Sequence, residues 1–370
     1  MANRGSGRAH VSLFSTGVAL LSWQSPRPMA PEMRIVVTGA TGNVGTSVIE
    51  ALVAEPTVDR IVGLARRRPA WHPPKTSFET VDVRSSNLIN HFRSADAVVH
   101  LAWAFHPTHG PLKTWESNVL GSIRVFEAAV GAGVGAIVYA SSVGAYSPGA
   151  GRHVDESWPT HGMPTAAYGR EKAYLERYLD AFVLREPQIR VVRLRTAFVF
   201  QRASASEQRR IFGGPLVPRG LVRPGRLPRL PWPAGLRFQA LHGRDAGQAY
   251  RLAVVDDGAS GPYNVAADPI IDAGNLADIL GTQPMTVPPA AVRAALGVGW
   301  RLRLFPADEA LLDLFLNLPI LDSSRIRREL GWSPRYTGVE ALREMLAGLA
   351  EGAGGPTPPL QADRLTVSQR

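Results

Sequence analysis

One pair of side chains is spaced for proton-transfer chemistry. Tyr168 and Lys172 lie four positions apart in the sequence Tyr-Gly-Arg-Glu-Lys, which on a helix places their Cβ atoms about 5–6 Å apart on one face. An ammonium beside a phenol is expected to lower the pKa of Tyr168 from its ordinary value of about 10. Tyr168 would then act as an acid–base near neutral pH. Ser142 closes a predicted strand and could hydrogen-bond the reacting oxygen, although serine pairs after strands also cap turns.

Such a pair also arises by chance on amphipathic helices, so the elements that would position it matter. Glycines at three-residue intervals follow a β-branched run over 34–37 and precede a stretch of helical apolar spacing. Gly39 would make a tight turn, Gly42 would let the backbone approach a pyrophosphate, and Gly45 would let the helix pack close to the strand. The helix N-terminus would offer N–H groups to the phosphates. The pattern predicts dinucleotide binding.

Apolar runs alternate with amphipathic stretches along the body of the chain. Strands are predicted at 60–65, 78–81, 97–101, 136–141 and 190–195, and helices at 85–92, 114–132 and 165–184. Strands that alternate with helices form βαβ units. We therefore expect an α/β fold, a Rossmann-type doubly wound parallel sheet, with a smaller and mainly helical C-terminal substrate region.

Composition divides the chain further. We expect a disordered N-terminal extension over 1–32, a dinucleotide-binding domain over 33–200 to which 238–267 return, a substrate-binding region over 201–237 and 268–350, and a disordered tail over 351–370. The segment 201–238 holds six prolines and eight arginines. It should form an insertion or lid.

Bulk properties exclude several classes of function. The chain of 370 residues has no cysteine, which excludes disulfides and thiolate chemistry. Its histidines show no metal-ligand spacing, so no metal is expected. No apolar run reaches the length of a membrane span. The net charge of +10 is concentrated in 201–238, which argues against a general nucleic-acid footprint. We expect a cytoplasmic protein.

The residues after the second and third strands bear on the choice of cofactor. A carboxylate at the end of the second strand would bind the ribose 2′-hydroxyl of NAD. Here Ala65 is followed by Arg66, which suits a 2′-phosphate, so NADP is favoured and NAD stays open. Asp82 could accept a hydrogen bond from the adenine amino group or cap the next helix. Trp103 and Phe105 could line the cleft or simply pack.

These motifs together resemble the extended short-chain dehydrogenases/reductases of the NAD-dependent epimerase/dehydratase family. The matching stretches are 38–45, 82–83, 100–102, 118–121, 141–146 and 168–172, with weaker matches at 242–245, 261–265 and 321–332. The resemblance assigns Ser142, Tyr168 and Lys172 as catalytic, with Lys172 contacting the nicotinamide ribose. The cofactor-binding residues implied in this way are Gly39, Thr41, Gly42, Asn43, Val44, Gly45, Arg66, Asp82, Val83, Leu101, Ala102, Tyr168 and Lys172.

Three functions remain open at this point. The first is an NAD(P)-dependent oxidoreductase acting on a carbonyl or secondary alcohol, whose small-molecule substrate could present an anionic group to the arginines of 201–238. The second is a nucleotide-sugar epimerase, disfavoured because the proline after Arg195 and the Gly-Pro after Phe200 are missing. Dehydration is disfavoured because Ser142-Val143-Gly144 offers no carboxylates. The third is a non-enzymatic NADP sensor. By resemblance to family dimers, 114–132 and 165–184 are candidate pairing surfaces of a homodimer.

Overall fold

The computed structural model describes residues 32–105, 110–213, 218–304 and 308–362. Apart from Glu32, the predicted N-terminal extension lies outside the described residues. Among the described helices, none is long and apolar enough to cross a membrane. The described residues also hold no cluster of three or more side chains suited to a metal ion.

The elements alternate along the chain as the sequence predicts. The strands are β1 (Met33–Thr38), β2 (Val58–Ala65), β3 (Thr76–Thr80), β4 (Ala97–His100), β5 (Ala136–Ser142), β6 (His153–Val154), β7 (Arg190–Thr196), β8 (Phe198–Phe200), β9 (Arg229–Pro233), β10 (Phe238–His242), β11 (Gly261–Val265), β12 (Ala267–Ile271), β13 (Gln283–Val287) and β14 (Ile320–Leu321). The helices are α1 (Asn43–Val53), α2 (Leu88–Phe92), α3 (Pro111–Thr114), α4 (Gly121–Gly131), α5 (Ala167–Arg185), α6 (Ala205–Gln208), α7 (Gly243–Val255), α8 (Ala273–Leu280), α9 (Pro289–Arg301), α10 (Glu309–Asn317), α11 (Ser324–Leu330) and α12 (Gly338–Glu351). π-helical turns over Trp115–Leu120 and Arg209–Gly213 join α3 to α4 and follow α6.

A seven-stranded parallel sheet forms the centre of the fold. Its strand order is β3-β2-β1-β4-β5-β7-β11, and every neighbouring pair runs parallel. The order reverses between β1 and β4, which is where open α/β sheets form a ligand crevice at the carboxyl ends of their strands. The predicted Rossmann-type sheet is confirmed.

Both faces of this sheet are buried, as a doubly wound fold requires. Successive side chains of a strand point to opposite faces. Ile35 and Val37 of β1 pack with α1 and α7 on one face, whereas Val36 packs with α4 and α5 on the other. The glycine motif at the end of β1 is thereby held between two filled layers.

The C-terminal part contains more sheet than the sequence predicts. Strands β8, β10 and β12 form a three-stranded sheet, and β9 pairs with β13. Of the stretch 238–267, only β11 joins the central sheet. The proline-rich segment 201–238 therefore supplies short helical turns and the strand β9.

The predicted helix over 85–92 begins later than expected, at Leu88. Residues 82–86 form a turn instead, because Ser85 and Ser86 donate backbone hydrogen bonds to the Asp82 carbonyl. The Asp82 carboxylate also accepts from the amide of Arg84 at 3.0 Å. Local side-chain and backbone bonds of this kind compete with helix formation.

The prediction of a disordered tail from 351 is wrong as far as residue 362. The segment 353–362, called the C-terminal strap below, packs against the glycine motif. Thr357 and Leu360 are fully buried, and the Thr357 hydroxyl donates to the Thr41 carbonyl at 2.7 Å. Glycine and proline here make a compact turn, closed by a bond from the Gly355 amide to Leu360. Their composition alone does not distinguish such a turn from disorder.

Candidate active site

The three glycines after β1 have separable roles. Gly39 has φ +69°, and a Cβ atom there would lie 2.7 Å from the Ala102 amide nitrogen. A Cβ atom at Gly45 would lie 2.3 Å from the Gly39 carbonyl oxygen, so the backbone itself excludes a side chain. At Gly42 the nearest atom would be 3.5 Å away. The fold therefore requires glycine at 39 and 45, whereas at 42 the protein leaves room.

A cavity of about 460 Å³ opens above these glycines. We call it the glycine-loop cavity. The predicted cofactor-binding residues that line it are Gly39, Thr41, Gly42, Arg66, Asp82, Val83, Leu101 and Ala102. Arg67 and Arg84 line the same cavity as Arg66, and so do Pro358 and Pro359 of the C-terminal strap.

Asp82 does not have an unengaged carboxylate. Arg84 donates to it through Nη2 at 2.7 Å and Nε at 3.0 Å. These hydrogen bonds hold the pKa of Asp82 below its usual range, with Arg66 adding to the effect. Arg84 was not predicted as a site residue, since a single arginine in a turn carries no local signal.

A second cavity, of about 270 Å³, adjoins the first. We call it the Tyr168 cavity. Its lining brings together Ser142, Tyr168 and Lys172 with the remaining predicted cofactor residues Asn43, Val44 and Gly45. Because Gly39, Gly42 and Trp103 line both cavities, the two form one cleft along the carboxyl edge of the sheet. All the predicted site residues lie in it.

Ser142 and Tyr168 meet at the end of β5. The Ser142 hydroxyl is close enough to Tyr168 to lower the pKa of the phenol, and it accepts from the Gly144 amide at 3.0 Å. Ser142 therefore caps a turn and contacts the phenol at once. A Cβ atom at Gly144 would lie 2.7 Å from the Tyr168 ring, so glycine at this position lets the ring lie against the turn.

The expectation that Lys172 lowers the pKa of Tyr168 is wrong for this arrangement. Burial raises the pKa of Tyr168 to about 12, against a smaller lowering by the Ser142 hydrogen bond. The Lys172 ammonium points elsewhere. It donates to the Ala140 carbonyl at 2.6 Å and lies 3.4 Å from the centre of the Trp103 ring, compared with 5.9 Å for Tyr168. Burial also lowers the pKa of Lys172 to about 7.

A buried ion pair beneath β5 holds these elements in place. Glu176 of α5 is completely buried and accepts from Arg195 of β7 at 2.8 Å and from the Ser141 hydroxyl at 2.5 Å. These partners, Arg195 first, outweigh burial and lower the pKa of Glu176 to about 2. Arg193 also donates to Glu176 at 3.0 Å, so removing Glu176 would leave the buried Arg195 without a carboxylate partner.

Asn118 connects the same helix to the loop after β4. Its side-chain amide donates to Glu171 at 2.7 Å and its oxygen accepts from the Ala104 amide at 2.7 Å. Asn118 lies in the π-helical turn Trp115–Leu120, a feature that is frequent at functional sites. It thereby positions Trp103 and Phe105 beside Tyr168.

The far wall of the Tyr168 cavity was missed by the sequence analysis. It contains Phe198, Phe212 and Phe315 together with Glu207. Burial raises the pKa of Glu207 to about 7, although nearby Arg210 opposes the effect. These residues come from distant parts of the chain and share no motif. Only the fold brings them together.

The arginine-rich segment contributes little to either cavity. Of its eight arginines, Arg210 alone lines one of these two cavities, the glycine-loop cavity. Arg210 also donates to the carbonyls of Pro359 and Gln361 in the C-terminal strap.

Comparison with known proteins agrees with the motifs and the fold. The model of the NAD-dependent epimerase/dehydratase family matches residues 35–213. An uncharacterized protein of Mycobacterium tuberculosis is 27% identical over 338 residues, which cover 88% of this chain and 86% of that protein. An L-arabinose 1-dehydrogenase (NAD(P)+) of Haloferax volcanii is 35% identical over 112 residues, 30% of this chain and 41% of that protein.

Solved structures match over most of the chain. The Thermus thermophilus UDP-glucose 4-epimerase in complex with NAD superposes with a TM-score of 0.63 and 21% identity, covering 86% of this chain and 99% of that one. At this identity the likeness shows the fold. Residues 35–213, just under half of the chain, therefore match the NAD-dependent epimerase/dehydratase family, and the fold of the described residues agrees with that match.

Proposed function

We propose that this protein is an NAD(P)-dependent oxidoreductase that interconverts a carbonyl compound and a secondary alcohol. One observation carries the proposal: Ser142 and Tyr168 line one cavity, and that cavity is continuous with the glycine-loop cavity. A dinucleotide bound along this cleft would bring its nicotinamide to the acid–base pair. The presence of Tyr168 and Lys172 also argues against the alternative of a non-enzymatic sensor.

The residues present fit such a cofactor. Gly42 immediately precedes α1, whose first N–H groups and positive dipole end suit a pyrophosphate. The protein leaves room for a side chain at Gly42, yet glycine stands there, which supports close approach of a ligand to this backbone. The Trp103 indole nitrogen is buried without a hydrogen-bond partner between the two cavities, so it could donate to a bound ligand. Bound NAD(P) supplies the hydride acceptor or donor.

Tyr168 is proposed to hold and release the proton. Its phenol is protonated at neutral pH, and burial raises the pKa further, to about 12. A protonated phenol can donate to the oxygen of a carbonyl as negative charge develops there, which supports the reductive direction. Ser142 contacts the same phenol and is placed to donate to that oxygen, as an oxyanion stabiliser does.

Lys172 is proposed to bind the cofactor ribose and to set the protonation of Tyr168 once the site is filled. The ammonium is now held by the Ala140 carbonyl and the Trp103 ring. A ligand that binds beside Trp103 would compete with these two groups for the Lys172 ammonium. Asn118 and Glu176 act as positioning residues because they hold the loop after β4 and the strand β5 against α5.

We further propose NADP as the preferred cofactor, because Arg66, Arg67 and Arg84 all line the glycine-loop cavity. Fluorescence titration with NADPH and NADH tests whether the protein binds a dinucleotide and which of the two it prefers. Arg66→Ala should weaken NADPH binding by about tenfold, which corresponds to one charge-assisted hydrogen bond, and should change NADH binding less than twofold.

Arg68→Ala, an exposed arginine that does not line the cavity, is the matched control. Equal binding of the two cofactors, or no effect of Arg66→Ala, would remove the NADP preference and favour NAD. If neither cofactor binds and none is retained by the purified protein, the oxidoreductase proposal itself fails.

A nucleotide-sugar epimerase remains the second candidate. The C-terminal strap favours it, since Pro358 and Pro359 cover part of the glycine-loop cavity and a tightly retained cofactor suits an enzyme without net redox change. Two results together would support the epimerase. The cofactor would stay bound through purification, and no carbonyl compound would cause net oxidation of NAD(P)H.

A further inference from the structure

Four phenylalanines line the Tyr168 cavity in one continuous row. The Phe105 ring lies 4.8 Å from that of Tyr168 and 5.6 Å from that of Phe212. Phe212 is followed by Phe315 at 6.1 Å, and Phe315 by Phe198 at 5.0 Å. Each of the four is only half-buried, so part of every ring faces the cavity. An apolar surface therefore leads directly away from the acid–base pair.

The charges around this cavity are few. Among the described residues that line it, only Lys172 and Glu207 are charged, and the Lys172 ammonium already contacts the Ala140 carbonyl and Trp103. No described arginine lines it. A diphosphate brings negative charge that must be paired when it leaves water. The raised pKa of Glu207 is a second sign of a dry, apolar surrounding.

Aliphatic side chains complete the surface. Ile211, Leu314 and Leu318 lie beside the aromatic row; α10 contributes Leu314 and Phe315, and Leu318 directly follows its end. Pockets of this composition bind ligands mainly by burying hydrocarbon, with a few polar groups setting the orientation. Here the hydroxyls of Ser142 and Tyr168 are the polar groups proposed to orient the substrate, and the lining also includes the polar residues Asn43, Thr196 and Gln208.

We propose that the substrate of this site is an apolar ketone or secondary alcohol, not a nucleotide sugar, with its oxygen at Ser142 and Tyr168 and its hydrocarbon body against the row of phenylalanines. The inference rests on the proposed oxidoreductase function. In the reductive direction the carbonyl carbon accepts a hydride from reduced NAD(P), and its oxygen takes the proton of Tyr168. The ketone is reduced, the cofactor is oxidised, and Tyr168 regains a proton from water.

The first test compares a homologous series of 2-ketones from 2-butanone to 2-decanone with UDP-glucose and UDP-galactose, using the full chain and both reduced cofactors. The value of kcat/KM should rise about fourfold per added methylene group until the cavity is filled, as expected for buried CH₂ groups. Phe315→Ala should raise KM for 2-decanone about tenfold and lower kcat much less. Leu184→Ala, an exposed apolar residue on α5, is the control that should change neither.

The second test measures binding without turnover. Tyr168→Phe saturated with NADPH should bind 2-decanone more tightly than 2-butanone by calorimetry and should not bind UDP-glucose. Binding of UDP-glucose, or no dependence on ketone length, overturns the substrate inference while leaving the cofactor site intact. Failure of the wild-type protein to bind either cofactor would instead overturn the proposed function on which the inference rests.

Discussion

The two halves of the cleft are built in different ways. Most of the glycine-loop cavity is lined by short stretches at or after the ends of central strands: 39–42 after β1, 64–67 at the end of β2, 81–84 after β3 and 101–105 after β4. The far wall of the Tyr168 cavity comes from 198–200, 207–212 and 314–318, which lie in separate small elements. The first half is a product of sheet topology and local motif, whereas the second depends on how the C-terminal part packs.

The difference predicts that the two halves can be disabled separately, and the largest effect should come from the proposed acid–base residue, Tyr168. Tyr168→Phe removes the proton and should lower kcat by about 10²–10⁴-fold, the usual contribution of general acid–base catalysis. Cofactor affinity should change less than threefold. Steady-state kinetics and NADPH titration measure both quantities. Tyr174→Phe, an exposed tyrosine on the same helix, is the control. Turnover that survives Tyr168→Phe would remove Tyr168 from the catalytic role.

The reverse separation should follow from Gly42→Ala. The added Cβ atom meets the protein only at 3.5 Å, so the melting temperature should stay within about 2 °C of wild type. It would intrude on a pyrophosphate, however, and cofactor affinity should fall about 10- to 100-fold. Differential scanning fluorimetry and NADPH titration read out the two effects.

Gly45→Ala is the matched comparison, since its Cβ atom would lie 2.3 Å from the Gly39 carbonyl oxygen. Gly45→Ala should therefore lower the melting temperature, because its added Cβ atom clashes with the backbone. If Gly42→Ala binds NADPH like wild type, the backbone at Gly42 does not contact the cofactor.

The same contrast explains what could be predicted from sequence. The glycine spacing, the β-branched strands and the Tyr168–Lys172 interval are local patterns, and the sheet they imply is confirmed. Phe198, Phe212 and Phe315 lie in stretches that look like ordinary packing, and their shared surface exists only after α10 and β8 meet. The C-terminal strap was missed because Gly and Pro make turns and disordered tails alike. The pKa of Tyr168 was predicted in the wrong direction because spacing does not reveal burial.

Glu207 lines both cavities, so the pKa of its carboxyl group reports how well water is excluded from the region where they meet. Its pKa is raised from 4.5 to about 7, so the folded protein holds this proton more tightly than the unfolded chain. Wild-type stability relative to Glu207→Gln should therefore fall as pH rises from about 4.5 to about 7, and then stay constant. Above pH 7 we expect the variant to be more stable by about 1–2 kcal/mol, after allowance for the part of the side chain that is exposed.

Urea unfolding at pH 4 and pH 8 measures this difference, with the exposed Glu50→Gln as control. The two proteins should match at pH 4, where both side chains are neutral. Equal stability at both pH values would mean that water reaches Glu207, and it would weaken the case for an apolar cavity.

The smallest predicted effect concerns the strap. Thr357→Val keeps the shape of the side chain but removes the buried bond to the Thr41 carbonyl, worth about 1 kcal/mol by the usual contribution of a hydrogen bond. Because Pro358 and Pro359 line the glycine-loop cavity, a loosened strap should release NADPH faster, by roughly threefold to fivefold.

Stopped-flow displacement measures this release rate. The control is Thr286→Val, which makes the same substitution at an exposed strand position. A lower melting temperature with an unchanged release rate would mean that the strap only stabilises the fold. The strap would then be a packing element, and cofactor retention would depend on the glycine loop alone.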